Sequence, residues 1–259
     1  MRSGQRPEPP RAGITSAVGS PLPRAYSHRD CELTPPLARS LAAGFTHVEV
    51  DAFVLAGRVL VGHDARRLRP GNTLRRLYLE PLRALVSERG GRLFEGGHPL
   101  WLHLDVKTAA RPALAATRRL LARYPDLVDP RAGPAPVRVM LSGNRPPPAA
   151  LGDHVLTLDG RSGDLGTFTD AGVMPLISDD WRALFAWRGA GRAPPEEGRR
   201  LAAMVATAHA HGQALRFWGT PDEPGPARER VWAHLLEAGV DLLNTDDVDG
   251  LRAFLTAPR

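Results

Sequence analysis

Glu49 and Asp51 stand two apart in a strand-like run, so their side chains share one face of the strand. Two carboxylates aimed into one site repel each other and lose hydration, and a bound divalent cation resolves both costs. A second strand-like run supplies Asp105 and, two residues on, Lys107. Three carboxylates form an all-oxygen donor set, which suits Mg²⁺ or Ca²⁺ better than Zn²⁺. The triad Glu49, Asp51 and Asp105 is therefore expected to hold one divalent ion, Mg²⁺ or Ca²⁺. His28 and His63 flank the acidic pair in the chain, and histidine is the usual proton-transfer group near neutral pH. Lys107 is the one lysine among 34 Lys and Arg residues. Its compact ammonium suits the neutralisation of a phosphate oxygen. Any one of these residues alone reads as a satisfied polar group or a helix cap. Their recurrence at successive strand ends is what points to a site.

The elements that must position them follow from periodicity. Eight short apolar segments recur at Arg24–His28, His47–Val54, Trp101–Lys107, Val137–Leu141, His154–Leu158, Val173–Ile177, Ala214–Trp218 and Asp241–Thr245. Val59–Val61 pairs with the run ending at Val54 as a hairpin turned at Ala56-Gly57. Helical patterns fall at Pro36–Ala43, Leu74–Arg89, Arg111–Arg123, Pro195–His211, Ala227–Ala238 and Asp247–Leu255. Gly44, Gly212 and Gly239 stand where left-handed C-caps are expected. The connections after Leu141 and Leu158 are weakly helical. Strands alternating with helices argue for a parallel sheet, and about 250 residues is the natural size of a closed (β/α)₈ TIM-type barrel. An open doubly wound sheet would call for a glycine-rich phosphate loop, and no GxGxxG or Walker sequence is present. A barrel places the chemistry at the C-terminal strand ends, where all the candidates lie. Asp159, Arg161, Asp179 and Asp180 also fall at strand ends, as pocket-lining or helix-capping groups, and Asn144 and Arg145 stand within reach of a phosphate.

Composition narrows the function classes. The 259 residues carry a net charge of +6, with 42% hydrophobic and 24% charged residues, an ordinary globular balance. The arginines are scattered rather than striped, and aromatics are 6%, so nucleic acid is not the expected partner. A salt-sensitive RNA-binding barrel is the competing reading on that count. Cys31 is the lone cysteine, which excludes an intrachain disulfide, and it is not expected to act as a nucleophile. No apolar run is long enough to span a bilayer. No export signal is visible, so a cytoplasmic location is expected, or a secreted one if a leader precedes this start. Residues 1–23, rich in Pro, Gly and Arg, read as a flexible N-terminal arm ahead of a single domain over 24–259. Oligomeric state is not legible.

The segment "SHRDCELTPPLARSLAAGFTHVEVDAFVLAGRVLVGHD" resembles the phospholipase C-like phosphodiesterase superfamily, which includes glycerophosphodiester phosphodiesterases with their H-R, E-x-D and H-D pattern. "LDVKT" is similar to the D-x-K-T of the sphingomyelinase D branch. "TLRRLYLEPL", "SGNRP", "LDGRSGDL", "MPLISDDW", "LRFWGTPDEP" and "GVDLLNTDDVDGL" resemble a narrower family, that of altered inheritance of mitochondria protein 6. The resemblance runs over residues 24–257. It implies a TIM-type barrel acting on a phosphodiester, with Glu49, Asp51 and Asp105 as metal ligands and His28 and His63 as the acid–base pair. It further implies Lys107, Arg29 and Trp218 as substrate-binding groups. The expected activity is hydrolysis of a glycerophosphodiester or a phospholipid head-group P–O bond. The alternatives are internal attack giving a cyclic phosphate, as in sphingomyelinase D and phospholipase D enzymes, or a barrel that only binds phosphate head groups. A lipid substrate would imply peripheral membrane contact, with Phe53, Phe94, Trp181, Phe185 and Trp187 placed either as an apolar rim or as packing on the barrel. Asp30 stands where the phosphodiesterase pattern has glycine, and no sphingomyelinase D tail signature is recognisable.

Overall fold

The computed structural model describes residues 17–152 and 155–258. The strands are β1 (Leu22–Ser27), β2 (Phe45–Leu55), β3 (Arg58–Val61), β4 (Leu100–Val106), β5 (Val137–Gly143), β6 (Leu156–Gly160), β7 (Leu176–Asp180), β8 (Ala214–Trp218) and β9 (Leu242–Thr245). All except β3 form one parallel sheet, which closes because β1 pairs with both β9 and β2. The result is the eight-stranded TIM-type barrel expected from the sequence. The extra strand β3 pairs antiparallel with the far end of β2, so that Leu55 faces Arg58 across Ala56-Gly57.

The helices are α1 (Ala38–Ala42), α2 (Glu80–Glu88), α3 (Ala110–Leu121), α4 (Pro125–Val128), α5 (Trp181–Leu184), α6 (Pro195–Ala210), α7 (Pro226–Glu237) and α8 (Val248–Thr256). A π-helical turn at Arg75–Leu79 leads into α2. Among the described residues no α-helix joins β5 to β6 or β6 to β7, in line with the weak helical pattern there. Gly44, Gly212 and Gly239 have φ of +86°, +68° and +87°, the left-handed caps foreseen. The segment expected at Val173–Ile177 is displaced to 176–180, because Val173 lies in a turn whose carbonyl accepts from Leu158 N. Residues 1–16 of the expected arm, and His154 of the fifth expected strand, lie outside the described residues. β1 begins at Leu22, inside the span read as arm.

The period of two decides which side chains enter the barrel. Val48 and Val50 of β2 and Leu102 and Leu104 of β4 are fully buried against the helix layer. Each such burial stabilises by about 1.5–3 kcal/mol. A slip of one residue would push all four into the barrel and eject the carboxylates, so these apolar residues fix the register of the site. The interior carries a smaller apolar plug of Tyr26, Met140, Leu176 and Leu242. Above it the inward positions turn polar.

Candidate active site

β2 and β4 run in register, with His47 opposite Trp101, Glu49 opposite His103 and Asp51 opposite Asp105. This pairing puts Asp51 and Asp105 side by side at the C-terminal rim, one inward step above Glu49. Glu49, Asp51 and Asp105 each offer a carboxylate oxygen within 4.8 Å of the others. Glu49 is buried, and its Oε2 has no hydrogen-bond partner among the described residues. A buried carboxylate oxygen left unpaired is costly, and a hard cation shared with Asp51 and Asp105 would supply the missing partner. The all-oxygen donor set thus fits a hard divalent cation.

Lys107 bridges two members of the triad. Its Nζ lies 2.8 Å from Asp51 Oδ1 and also ion-pairs with Asp105 Oδ2. Burial alone would raise the Asp51 pKa, but the hydrogen bonds from Lys107 and His63 outweigh it and hold the carboxyl below its ordinary value. Burial likewise opposes the Lys107 charge, and Asp105 and Asp51 overcome it, so the ammonium is held above its usual range. Glu49 behaves differently. Burial raises its pKa, and the nearby His28 and Arg216 offset this only in part.

The two histidines meet the triad at different members. His63 returns from the β2–β3 hairpin and its Nδ1 lies 2.8 Å from Asp51 Oδ2. His28 follows β1; its Nδ1 lies 2.7 Å from Asp246 Oδ1 and its Nε2 3.6 Å from Glu49 Oε2. Burial pushes Asp246 upward, but the hydrogen bond and charge of His28 outweigh it and bring the carboxyl below its ordinary value. Asp246 is in turn held by Asp222, which accepts from Asp246 N at 2.6 Å and from Thr245 Oγ1 at 2.6 Å. Sequence reasoning reached the strand end at Asp246 without giving it a role. The signal was barrel closure, which sets the end of the last strand beside the first.

The other expected residues fall as follows. Arg29 has φ of 47° and pairs with Glu32 at 4.0 Å, outside hydrogen-bond reach of the triad. Trp218 ends β8 beneath the Arg182 guanidinium, which lies 5.7 Å from its ring centre. Asp30 is a structural anchor rather than a substrate contact. It is fully buried and accepts from Leu37 N at 2.7 Å, Ser40 Oγ at 2.5 Å and Tyr78 OH at 2.8 Å. Cys31 Sγ lies 3.7 Å from Asp51 Oδ2, and burial pushes its pKa up to about 12, so it stays a thiol. Asp180 caps α5 through Arg182 N at 2.9 Å, and Asp179 accepts from Ser162 N at 3.0 Å. Arg145 is engaged by Asp164. Phe94, Trp181 and Phe185 do not form a rim. They are buried, with Trp181 stacked on Phe185 at 4.1 Å, because the apolar layer outside the barrel claims them first.

Below the triad lie Asp159, one of the strand-end candidates, and Arg216, to which the sequence reading gave no role. Asp159 accepts from Ser142 Oγ at 2.9 Å and Ser178 Oγ at 2.6 Å. Arg216 is buried with its guanidinium 3.9 Å from the Tyr26 ring centre, a cation over an aromatic face. Its alternation with Trp218 along β8 marks it as inward-facing.

The chain's relatives bear on this arrangement. Residues 17–93, which span β1 to β3 and carry His28, Glu49, Asp51 and His63, match the AIM6-like phosphodiesterase domain. Residues 214–249, which span β8 and β9, match the glycerophosphoryl diester phosphodiesterase family. The chain is 30% identical to altered inheritance of mitochondria protein 6 of Eremothecium gossypii, over 90% of this chain and 69% of that protein. This chain belongs to the altered inheritance of mitochondria protein 6 family. A homologue of altered inheritance of mitochondria protein 6 from Arthroderma benhamiae is 27% identical, over 90% of this chain and 84% of its own length. The family membership and the second match together give the barrel a phosphodiesterase-type domain. Among the described residues no helix is long and apolar enough to cross a membrane.

Proposed function

We propose that the protein is a divalent-metal-dependent phosphoric diester hydrolase acting on a glycerophosphodiester or a phospholipid head-group P–O bond. The carrying observation is the convergence at the barrel mouth of three carboxylates, one lysine and two imidazoles that are each hydrogen-bonded to a carboxylate. A pure binding barrel has no use for two carboxylate-oriented imidazoles.

Glu49, Asp51 and Asp105 would hold the ion, Mg²⁺ or Ca²⁺. When bound, such an ion supplies Lewis-acid neutralisation of charge on a phosphate oxygen. Lys107 adds a second positive group at the same rim, and Arg29 and Trp218 flank the approach. Asp246 accepts the Nδ1 proton of His28 and so leaves Nε2 free to accept one. His63 stands in the same relation to Asp51, so the pair can divide the work; in this proposal His28 is the base that takes the proton from the attacking water or substrate hydroxyl. His63, steadied at Nδ1 by Asp51, protonates the leaving alkoxide from Nε2.

The test compares diesters with good and poor leaving groups. A nitrophenolate leaves without help, whereas an alkoxide needs a proton. His63→Ala should lose about 10²–10⁴-fold on an alkyl diester and far less on a nitrophenyl diester, while His28→Ala loses on both. Equal losses in the two variants would reject the assignment, and full activity with chelator would reject the metal. Phosphorus NMR of the product separates hydrolysis from a cyclic phosphate.

A further inference from the structure

The flank of the barrel carries a second basic feature, away from the triad. Hairpin β2–β3 leaves the rim at Ala52, turns at Ala56-Gly57 and returns at Gly62 to deliver His63. Ala56 and Gly57 have φ of +48° and +74°, the paired left-handed geometry of a tight two-residue hairpin turn. Behind the turn, β3, the π-helical turn and α3 enclose a groove of about 450 Å³. Arg58, Arg75, Arg119 and Arg123 line it, with Val59 and Leu120 as apolar floor, and among the described residues no carboxylate lines it. A Cβ built on Gly57 would lie 3.6 Å from Arg119 Nη2, so the guanidinium packs directly under the turn.

The charge of this groove is poorly compensated. Arg58 spends one Nη2 bond on Pro70 O at 2.7 Å, and Arg75 reaches Glu80 Oε1 at 3.6 Å. Among the described residues neither Arg119 nor Arg123 has a carboxylate within 4.0 Å. Guanidinium groups from three separate elements converging on one groove fit a phosphate or phosphodiester anion. A second feature sits at the same place. Leu55, the residue before the turn, is 48% exposed and is the large exposed hydrophobic among the described residues. An apolar prong beside a basic groove is complementary to a bilayer surface bearing anionic head groups. Nucleic acid fits less well, since among the described residues no aromatic side chain lines the groove to stack a base.

We propose that the β2–β3 turn and the arginine groove behind it form a peripheral docking site for an anionic phospholipid surface, with Leu55 entering the head-group layer and Arg119 and Arg123 holding lipid phosphate. The proposal stands apart from the catalytic reading, because docking needs no turnover. Co-sedimentation with vesicles of phosphatidylcholine, alone or mixed with phosphatidylglycerol, tests it. The protein should sediment with the mixed vesicles and not with the neutral ones. Each cation near an anionic surface contributes about fivefold, so the double variant R119A/R123A should bind about thirty-fold more weakly. Leu55→Ser should weaken binding by up to about tenfold. All variants should keep the parental melting temperature and the parental turnover of a water-soluble diester. Equal sedimentation with neutral vesicles, or undiminished binding of R119A/R123A, would overturn the proposal. So would selective binding of inorganic pyrophosphate or single-stranded RNA at this groove without vesicle binding, which would place a soluble ligand there instead. Loss of soluble-diester turnover in the parent would sink the catalytic reading and leave the docking result intact.

Discussion

Gly143→Ala is a one-carbon change at a residue that performs no chemistry. Gly143 ends β5 with φ of +64° and stands opposite Val106. A Cβ there would overlap Asp105 Oδ1 and come within 2.7 Å of Val106 O and 2.9 Å of Val106 N. The Asp105 carboxylate can rotate away, but the Val106 peptide cannot move without opening the β4–β5 pairing. Alanine in the left-handed region costs about 1–2 kcal/mol, and forcing an extra carbon into close packing costs about 1–3 kcal/mol more. The expected loss of stability is therefore about 2–5 kcal/mol, read from urea denaturation. The functional loss should be larger than the stability loss implies, because the atom displaced first belongs to the acidic triad. Calorimetric titration with Mg²⁺ and Ca²⁺ at a temperature where the variant remains folded measures this separately. A variant that folds and binds the ion as tightly as the parent would refute both the placement of Asp105 and its assignment as a ligand.

Four further outcomes follow from the structure. Burial holds His47 down at about 3 and His103 well below 6.5, so the folded chain keeps both neutral while the unfolded chain takes up protons below pH about 6.5. Their contribution is thus fully present above that value and lost as pH falls toward 3; at pH 5 denaturation should show about 2 kcal/mol lost per imidazole, and a flat profile between pH 7 and pH 5 would contradict it. Lys107→Met removes the ammonium that bridges Asp51 and Asp105 and should lower kcat about 10²–10³-fold; an unchanged kcat would exclude a role in charge neutralisation. Asp246→Asn presents an amide to His28 Nδ1 and should cut turnover about 10²–10⁴-fold with little change in melting temperature. Asp30→Ala strands two donors, Leu37 N and Tyr78 OH, and leaves Ser40 Oγ only Ser27 Oγ to donate to, and should cost about 2 kcal/mol or more in urea unfolding; a stability loss under about 1 kcal/mol would show that these bonds are not the anchor described.

The barrel was legible because its strands alternate with a period of two and three of its helices end in glycine. Ala214–Trp218 and the turn at Ala56-Gly57 lie where the pattern put them. The sixth expected strand, β7, was displaced because Val173 and Leu176 are both apolar and only tertiary hydrogen bonding separates turn from strand there. The acidic triad was visible as spacing on two strands, whose register then placed Asp51 beside Asp105. Asp246 was not, since its partner lies 218 residues away and local sequence carries no trace of that distance. Nor was the anchoring role of Asp30, whose three donors come from a loop, α1 and the π-helical turn. Phe94, Trp181 and Phe185 took the core rather than the rim because amphipathic rings such as Trp181 satisfy either a surface or a core, and here the N–H of Trp181 finds the Trp187 carbonyl at 2.8 Å inside the fold.

The pairing of His28 with Asp246 joins the first stave of the barrel to the last. A nascent chain can lay β2 beside β4 and assemble the acidic triad long before β9 is made. The oriented imidazole at the first strand exists only after the ring has shut. A chain cut short before β9 would hold the three carboxylates without Asp246 to orient His28, so closure of the ring and orientation of this imidazole are one event.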